Sequence, residues 1–159
     1  MMAAKKSKSW KEKLLDNKGL PKVEKLDGKM REQWGEGTLV IPAPIEVDEI
    51  MKKVPKGKLI TINEIRQQLA KKHQATMGCP FTTGIFAWIA AYAAEEDKAI
   101  GMKRITPYWR TLKAGGVLNE KYPGGVSHLK ELLEAEGHQV IKKGKNYVVE
   151  NYQAALVRL

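Results

Sequence analysis

Thiol chemistry is nearly absent from this chain, whose 159 residues include a single cysteine, Cys79. One thiol excludes an internal disulfide and fits a reducing, cytoplasmic setting. Histidine is scarce too: His73, His128 and His138, taken with Cys79, show no zinc-ligand spacing, so no metal is expected. Neither a P-loop nor a G-x-G-x-x-G pattern occurs, and no cofactor is expected. No apolar run approaches the ~20 residues of a membrane span, which excludes a spanning helix as the expectation. The start, Met1-Met2-Ala3-Ala4-Lys5-Lys6-Ser7-Lys8, is charged with no apolar region after it, unlike a secretory signal. Negative charge is in deficit.

What is present is basic charge, 28 Lys and Arg against 18 Asp and Glu, for a net +10. Residues 1–31 alone hold ten Lys and Arg against four Asp and Glu, a surplus of six. Such a balance favours a polyanionic partner and says nothing of fold. With 43% apolar residues the chain can fill one modest core. We read residues 1–44 as a basic N-terminal extension packing on a domain of residues 45–159.

Within the extension, residues 1–9 are expected to be disordered. Trp10–Leu15 and Leu26–Trp34 read as short helices. Trp10, Leu14, Leu20, Val23, Leu26, Met30 and Trp34 are candidate anchors. For both tryptophans packing and base stacking are open readings. Thr38–Ile41 reads as a strand and Ile45–Val54 as a helix. Thr61-Ile62-Asn63-Glu64 looks like a capping box opening a helix to about Lys72. After a turn over His73–Pro80, Thr82 or Thr83 is expected to cap a third helix from Gly84 to Glu95. This is a helix-turn-helix pattern.

That third helix has almost no side chains suited to bidentate contacts with base edges. Its Gly84, Ala87, Ala91 and Ala94 form a stripe of small residues, which permits close approach of a packed helix or of a minor groove. Glu95-Glu96-Asp97 reads as the helix's exit into solvent. Lys103 and Arg104 follow as candidate phosphate contacts. Ile105-Thr106-Pro107-Tyr108-Trp109-Arg110-Thr111-Leu112 predicts a short strand from Tyr108, since Pro107 interrupts what precedes it. Ser127 can cap a helix ending at Glu136, with Gly137 as its stop. His138–Ile141 and Tyr147–Val149 predict a β-hairpin whose tip carries Lys142, Lys143 and Lys145. A closing helix is expected over residues 150–159. The fold expected is mostly α with small β elements, a winged helix-turn-helix-like DNA-binding domain with a basic N-terminal extension.

The order of Val54-Pro55-Lys56-Gly57-Lys58-Leu59-Ile60-Thr61, Pro107 to Arg110, Gly116-Val117-Leu118, Gly124-Gly125 and Leu132-Leu133-Glu134-Ala135-Glu136-Gly137 resembles the DNA-binding domain of the alkylguanine-DNA alkyltransferases (methylated-DNA–protein-cysteine methyltransferases). The resemblance covers about Glu46 to Gln139. It puts Tyr108 where that family has its alkyl-accepting cysteine and Trp109 where it has the activating histidine. Pro107 and Arg110 are kept, and Glu136 matches the glutamate of the family relay. A phenol of pKa near ~10 is a poor neutral-pH nucleophile, and an indole nitrogen is no base. Alkyl transfer therefore cannot run at Tyr108.

The family's duplex-propping arginine falls at Thr82, Thr83 or Gly84, its phosphate-rotating tyrosine at Ile62, and its pocket tyrosine at Lys121, next to Tyr122. None of the matching residues is kept, which puts base flipping in doubt. The resemblance implies the alkyltransferase-like branch: a non-enzymatic, monomeric protein binding double-stranded DNA and recognising alkylated or damaged bases in repair. Tyr108, Trp109, Arg110 and Tyr122 are then lesion-pocket candidates. Candidate DNA contacts are Thr82, Thr83, Gly84, Ala87, Ala91, Lys103, Arg104, Lys142, Lys143 and Lys145. The rival readings are an alkyl acceptor using Cys79, which precedes a helix where a thiol pKa can fall, and a protein-interaction module that has lost DNA binding.

Overall fold

A computed structural model describes residues 8–159. The expected disorder of residues 1–9 falls mostly outside these. Ser9, inside them, is the N-cap of α1 (Trp10–Leu15), where the Glu12 N–H donates to its Oγ at 3.0 Å. The order continues β1 (Lys22–Lys25), α2 (Gly28–Trp34), β2 (Thr38–Ile41), α3 (Pro44–Lys52), β3 (Ile60–Thr61), α4 (Ile62–Lys72), β4 (Met77–Gly78) and α5 (Pro80–Ala99). Then come a 3-10 turn (Tyr108–Arg110), β5 (Thr111–Leu112), a second such turn (Ala114–Gly116), α6 (Gly125–Ala135), β6 (Val140–Lys143), β7 (Asn146–Val149) and a last turn (Tyr152–Ala155). The fold is mostly α with small β elements.

The core is built on α5. Ala87, Ala90, Ala91, Ala93 and Ala94 are all buried, and small side chains let α3 lie close against them. Val47 and Met51 of α3, Ile65 and Leu69 of α4, and Leu129 and Leu133 of α6 complete one continuous cluster. Leu14 of α1 joins it at 1% exposure, a burial worth roughly 1.5–3 kcal/mol before ordering costs. Leu26, Leu39 and Cys79 form a second, smaller cluster.

Among the described residues the strands form three small sheets. β2 pairs antiparallel with β1 and parallel with β4, so Val40 sits opposite both Val23 and Gly78. Gly78 has no room for a side chain: a Cβ there would lie 2.7 Å from the Arg66 carbonyl oxygen and 2.9 Å from its Cα. β3 and β5 run parallel, and β6 and β7 form the expected hairpin, turning through Gly144 and Lys145.

Several expectations need correction. Helix α5 starts at Pro80, which fits the first helical turn, so Thr82 and Thr83 lie inside it and Cys79 is its N-cap. It ends at Ala99 rather than Glu95. Thr61 is the N-cap of α4, but its hydroxyl donates to the Glu64 carboxylate instead of accepting a backbone N–H, so the expected capping box does not form. Gly124, in left-handed geometry, caps α6 in place of Ser127. Tyr108 begins a turn, not a strand, and only Thr111–Leu112 are extended. The closing helix shrinks to Tyr152–Ala155, because Leu156 bridges Leu59 as a strand instead.

Candidate nucleic-acid interface

The Tyr108–Arg110 turn is fixed from both sides. Tyr108 is fully buried, and its hydroxyl donates to Glu95 Oε1 at 2.5 Å. Burial first, and the Glu95 carboxylate second, push the phenol's pKa far above its usual range. Tyr122 is buried at 6.0 Å from the Tyr108 ring, edge to face, and burial raises its pKa as well. Two buried rings offer no face to a ligand, so Tyr108 and Tyr122 serve packing rather than lining a lesion pocket. The phenol's hydrogen-bond partner, the Glu95 carboxylate, together with burial holds the proton on the oxygen.

Trp109 donates its indole N–H to Glu136 Oε2 at 2.8 Å. Arg110 holds the same carboxylate through Nε and Nη2 at 2.9 and 2.8 Å, and donates Nη1 to the Val54 carbonyl at 2.7 Å. The Gly57 N–H adds a longer bond at 3.3 Å. Burial alone would raise the Glu136 pKa, but the bonds from Arg110, Trp109 and Gly57 outweigh it and hold the carboxyl below its ordinary range. Arg110 is therefore a brace between α6 and the end of α3, with its guanidinium committed.

The open surface lies elsewhere. On α5, Phe81 and Ile85 stand 62% and 51% exposed, with Gly84 beside them where a Cβ would meet open space. They border a groove of about 770 Å³ closed by α4 and by residues 113–121. Arg66, Lys113 and Lys121 give it a basic rim, and Trp88 lines it while donating its indole N–H to the Lys121 carbonyl at 3.1 Å. The spacing of Phe81, Gly84, Ile85 and Trp88 is helical and opposite the alanine face, so the pattern was present in the sequence. What was missing was the direction each face looks.

Solved structures that share this fold include two from S. pombe. One is S. pombe Atl1 in complex with damaged DNA containing O6-carboxymethylguanine, at TM-score 0.50 and 18% identity, over 73% of this chain and 94% of that one. The other is S. pombe ATL in complex with DNA, at TM-score 0.51 and 16% identity, with the same coverage. No protein-family model and no curated protein matches the sequence. At these identities the likeness is one of fold.

The remaining candidates separate cleanly. Ala87 and Ala91 are buried in helix packing, and buried Thr83 donates its hydroxyl to the Cys79 carbonyl at 2.6 Å. Those three cannot reach a duplex, and Thr82 is half-buried. Gly84 alone of that set faces the groove. Lys103 and Arg104 are exposed at a second cleft of about 390 Å³ that Trp109 and Arg110 also border. Lys142, Lys143 and Lys145 are exposed at the hairpin tip. Cys79 is 4% exposed. Among the described residues no cluster of three or more His, Cys, Asp or Glu could hold a metal.

Proposed function

We propose that this protein is a non-enzymatic, double-stranded DNA-binding protein of the alkyltransferase-like type, recognising alkylated or damaged bases in repair. The observation that carries this reading is the groove beside α5. Its exposed Phe81 and Ile85 can wedge against base steps, as apolar side chains of minor-groove binders do. Its rim of Arg66, Lys113 and Lys121 can meet phosphates. Lys142, Lys143 and Lys145 on the hairpin, and Lys103 and Arg104 at the second cleft, are the further phosphate contacts of this reading. Alkylated guanine is the ligand class, supported by the family resemblance and by the DNA named with the Atl1 structure.

Titrating plain and O6-alkylguanine duplexes at two salt concentrations tests it. The expected result is a steep salt dependence with tighter binding of the alkylated duplex. Equal affinity for both removes base recognition, and no binding removes the whole reading. Transfer onto Cys79 has the burial of that thiol against it. The exposed Phe81 and Ile85 equally suit a protein partner, a second reading that a concentration-dependent dimer with no DNA binding would favour.

A further inference from the structure

Strand β1 ends its sheet. The order is β1-β2-β4, so one side of β1 has no neighbouring strand among the described residues, and Lys22, Val23, Glu24 and Lys25 are all exposed. Hydrogen bonds fix which main-chain groups look outward. The Leu26 N–H donates to the Gly37 carbonyl across the β1–β2 ladder, while the Thr38 and Val40 carbonyls accept from Thr76 and Cys79 on the β4 side. Bonding alternates along an antiparallel ladder, so Lys22 and Glu24 turn their peptide groups to β2, and Val23 and Lys25 turn theirs to the free edge. Val23 lies opposite buried Val40, on the same face, yet stands 47% exposed at the rim of the sheet. Lys22 and Glu24 share the other face, with Nζ 2.9 Å from Oε1.

A free edge is a template for another strand, and the side chains on it decide which strand it accepts. A second copy of β1 running antiparallel can bond only in registers that set outward residues against outward residues. Centring the pair on Glu24 puts two carboxylates opposite each other, and centring it on Lys25 does the same with two ammonium groups. Centred on Val23, the register sets Val23 against the partner's Val23 and each Lys22 against the partner's Glu24. Pro21, with no N–H to give, keeps the ladder short.

We propose that β1 is a self-recognition edge, through which two copies of this chain join antiparallel about Val23, with Lys22 against the partner's Glu24 fixing the register. Each copy brings three strands to one continuous sheet. The inference departs from the monomer that the family resemblance implies and stands independently of the DNA-binding reading. The interface is short and the net charge of +10 opposes it. The dimer is therefore weak and concentration-dependent, favoured by salt that screens charges beyond about 8 Å.

Sedimentation equilibrium over a hundredfold range of concentration tests it. The parent should pass from monomer toward dimer. Lys22→Glu alone and Glu24→Lys alone should each stay monomeric, because each sets like charges opposite one another. Both should keep the parent's melting temperature, since an exposed ion pair adds little to stability. An equimolar mixture of the two variants should recover a 1:1 heterodimer, each carrying the charge the other lacks. Val23→Pro, which removes an N–H that the β2 ladder does not use, should be monomeric as well.

A parent that is monomeric throughout overturns the inference, and so do single variants that dimerise as the parent does. A mixture that fails to associate overturns the register. A dimer abolished by Phe81→Ala with Ile85→Ala would belong to the groove and would also end the proposal.

Discussion

Trp109 and Arg110, consecutive in the chain, grip the single carboxylate of Glu136, the indole N–H at 2.8 Å and the guanidinium through two bonds. This knot ties α6 to the central turn and, through Val54, to the end of α3. Removing one partner leaves a largely buried charge uncompensated, which costs about 3–5 kcal/mol. Glu136→Ala should therefore lose most of that in urea unfolding. A loss under about 1 kcal/mol would show that the knot is ornamental.

Acid should find the same residue. A carboxyl whose folded-state pKa lies below its unfolded value adds stability that is complete above the unfolded value. That stability is lost as pH falls through the folded value. Glu136 behaves so, and Glu46 too: there burial raises the pKa, but Lys72, the Ala43 N–H and His73 together bring it below the ordinary 4.5. Stability should hold from neutral pH to about 5 and fall below about 4.5. Glu136→Gln should flatten that fall, and an identical acid profile for parent and variant contradicts the assignment.

Replacing the buried phenol separates structure from chemistry. Tyr108→Phe deletes the hydroxyl that Glu95 accepts, a loss of about 1.5–3 kcal/mol for a bond to a charged group. Tyr108→Cys returns a sulfur to the turn but no base, since Trp109 offers only an N–H. Intact mass after incubation with O6-alkylguanine DNA should show no adduct on that variant or on the parent. An adduct on the parent that Cys79→Ser abolishes would revive the enzyme reading.

The exposed pair on α5 should behave in the opposite way. Phe81→Ala with Ile85→Ala removes little packing, so stability should change by no more than about 0.5 kcal/mol per site. Duplex affinity should drop at least about tenfold, or ~1.4 kcal/mol. Unaltered affinity would relocate the contact surface away from the groove.

The hairpin offers a contrast between grip and reading. Lys142, Lys143 and Lys145 changed to Gln should weaken plain and alkylated duplexes equally and lower the salt slope by up to roughly 2.7. A change in the ratio between the two duplexes would mean the tip touches bases.

Much of this was legible beforehand. Apolar spacing located the helices, and the chemistry of Tyr108 and Trp109 already excluded transfer at that turn. The small-residue stripe of α5 was visible as well, but periodicity does not say what a face meets. Only the packing of the other helices on α5 shows that Ala87 and Ala91 are interior while Phe81 and Ile85 look out. Glu95, Glu96 and Asp97 read as a solvated end because their partners, Tyr108, the α1 amides and Lys11, come from distant segments. β1 went unseen because all four of its residues are exposed, leaving the edge strand without a buried face to mark it.

The bare α-carbon of Gly78, seated against the backbone of Arg66, sets how closely β4 approaches α4. Arg66 closes the same junction by donating Nε to the Gly78 carbonyl at 2.9 Å. Backbone pressed on backbone has no rotamer to yield. The Arg66 side of the opening beside Phe81 is therefore pinned by main chain, not by a side chain that can swing aside.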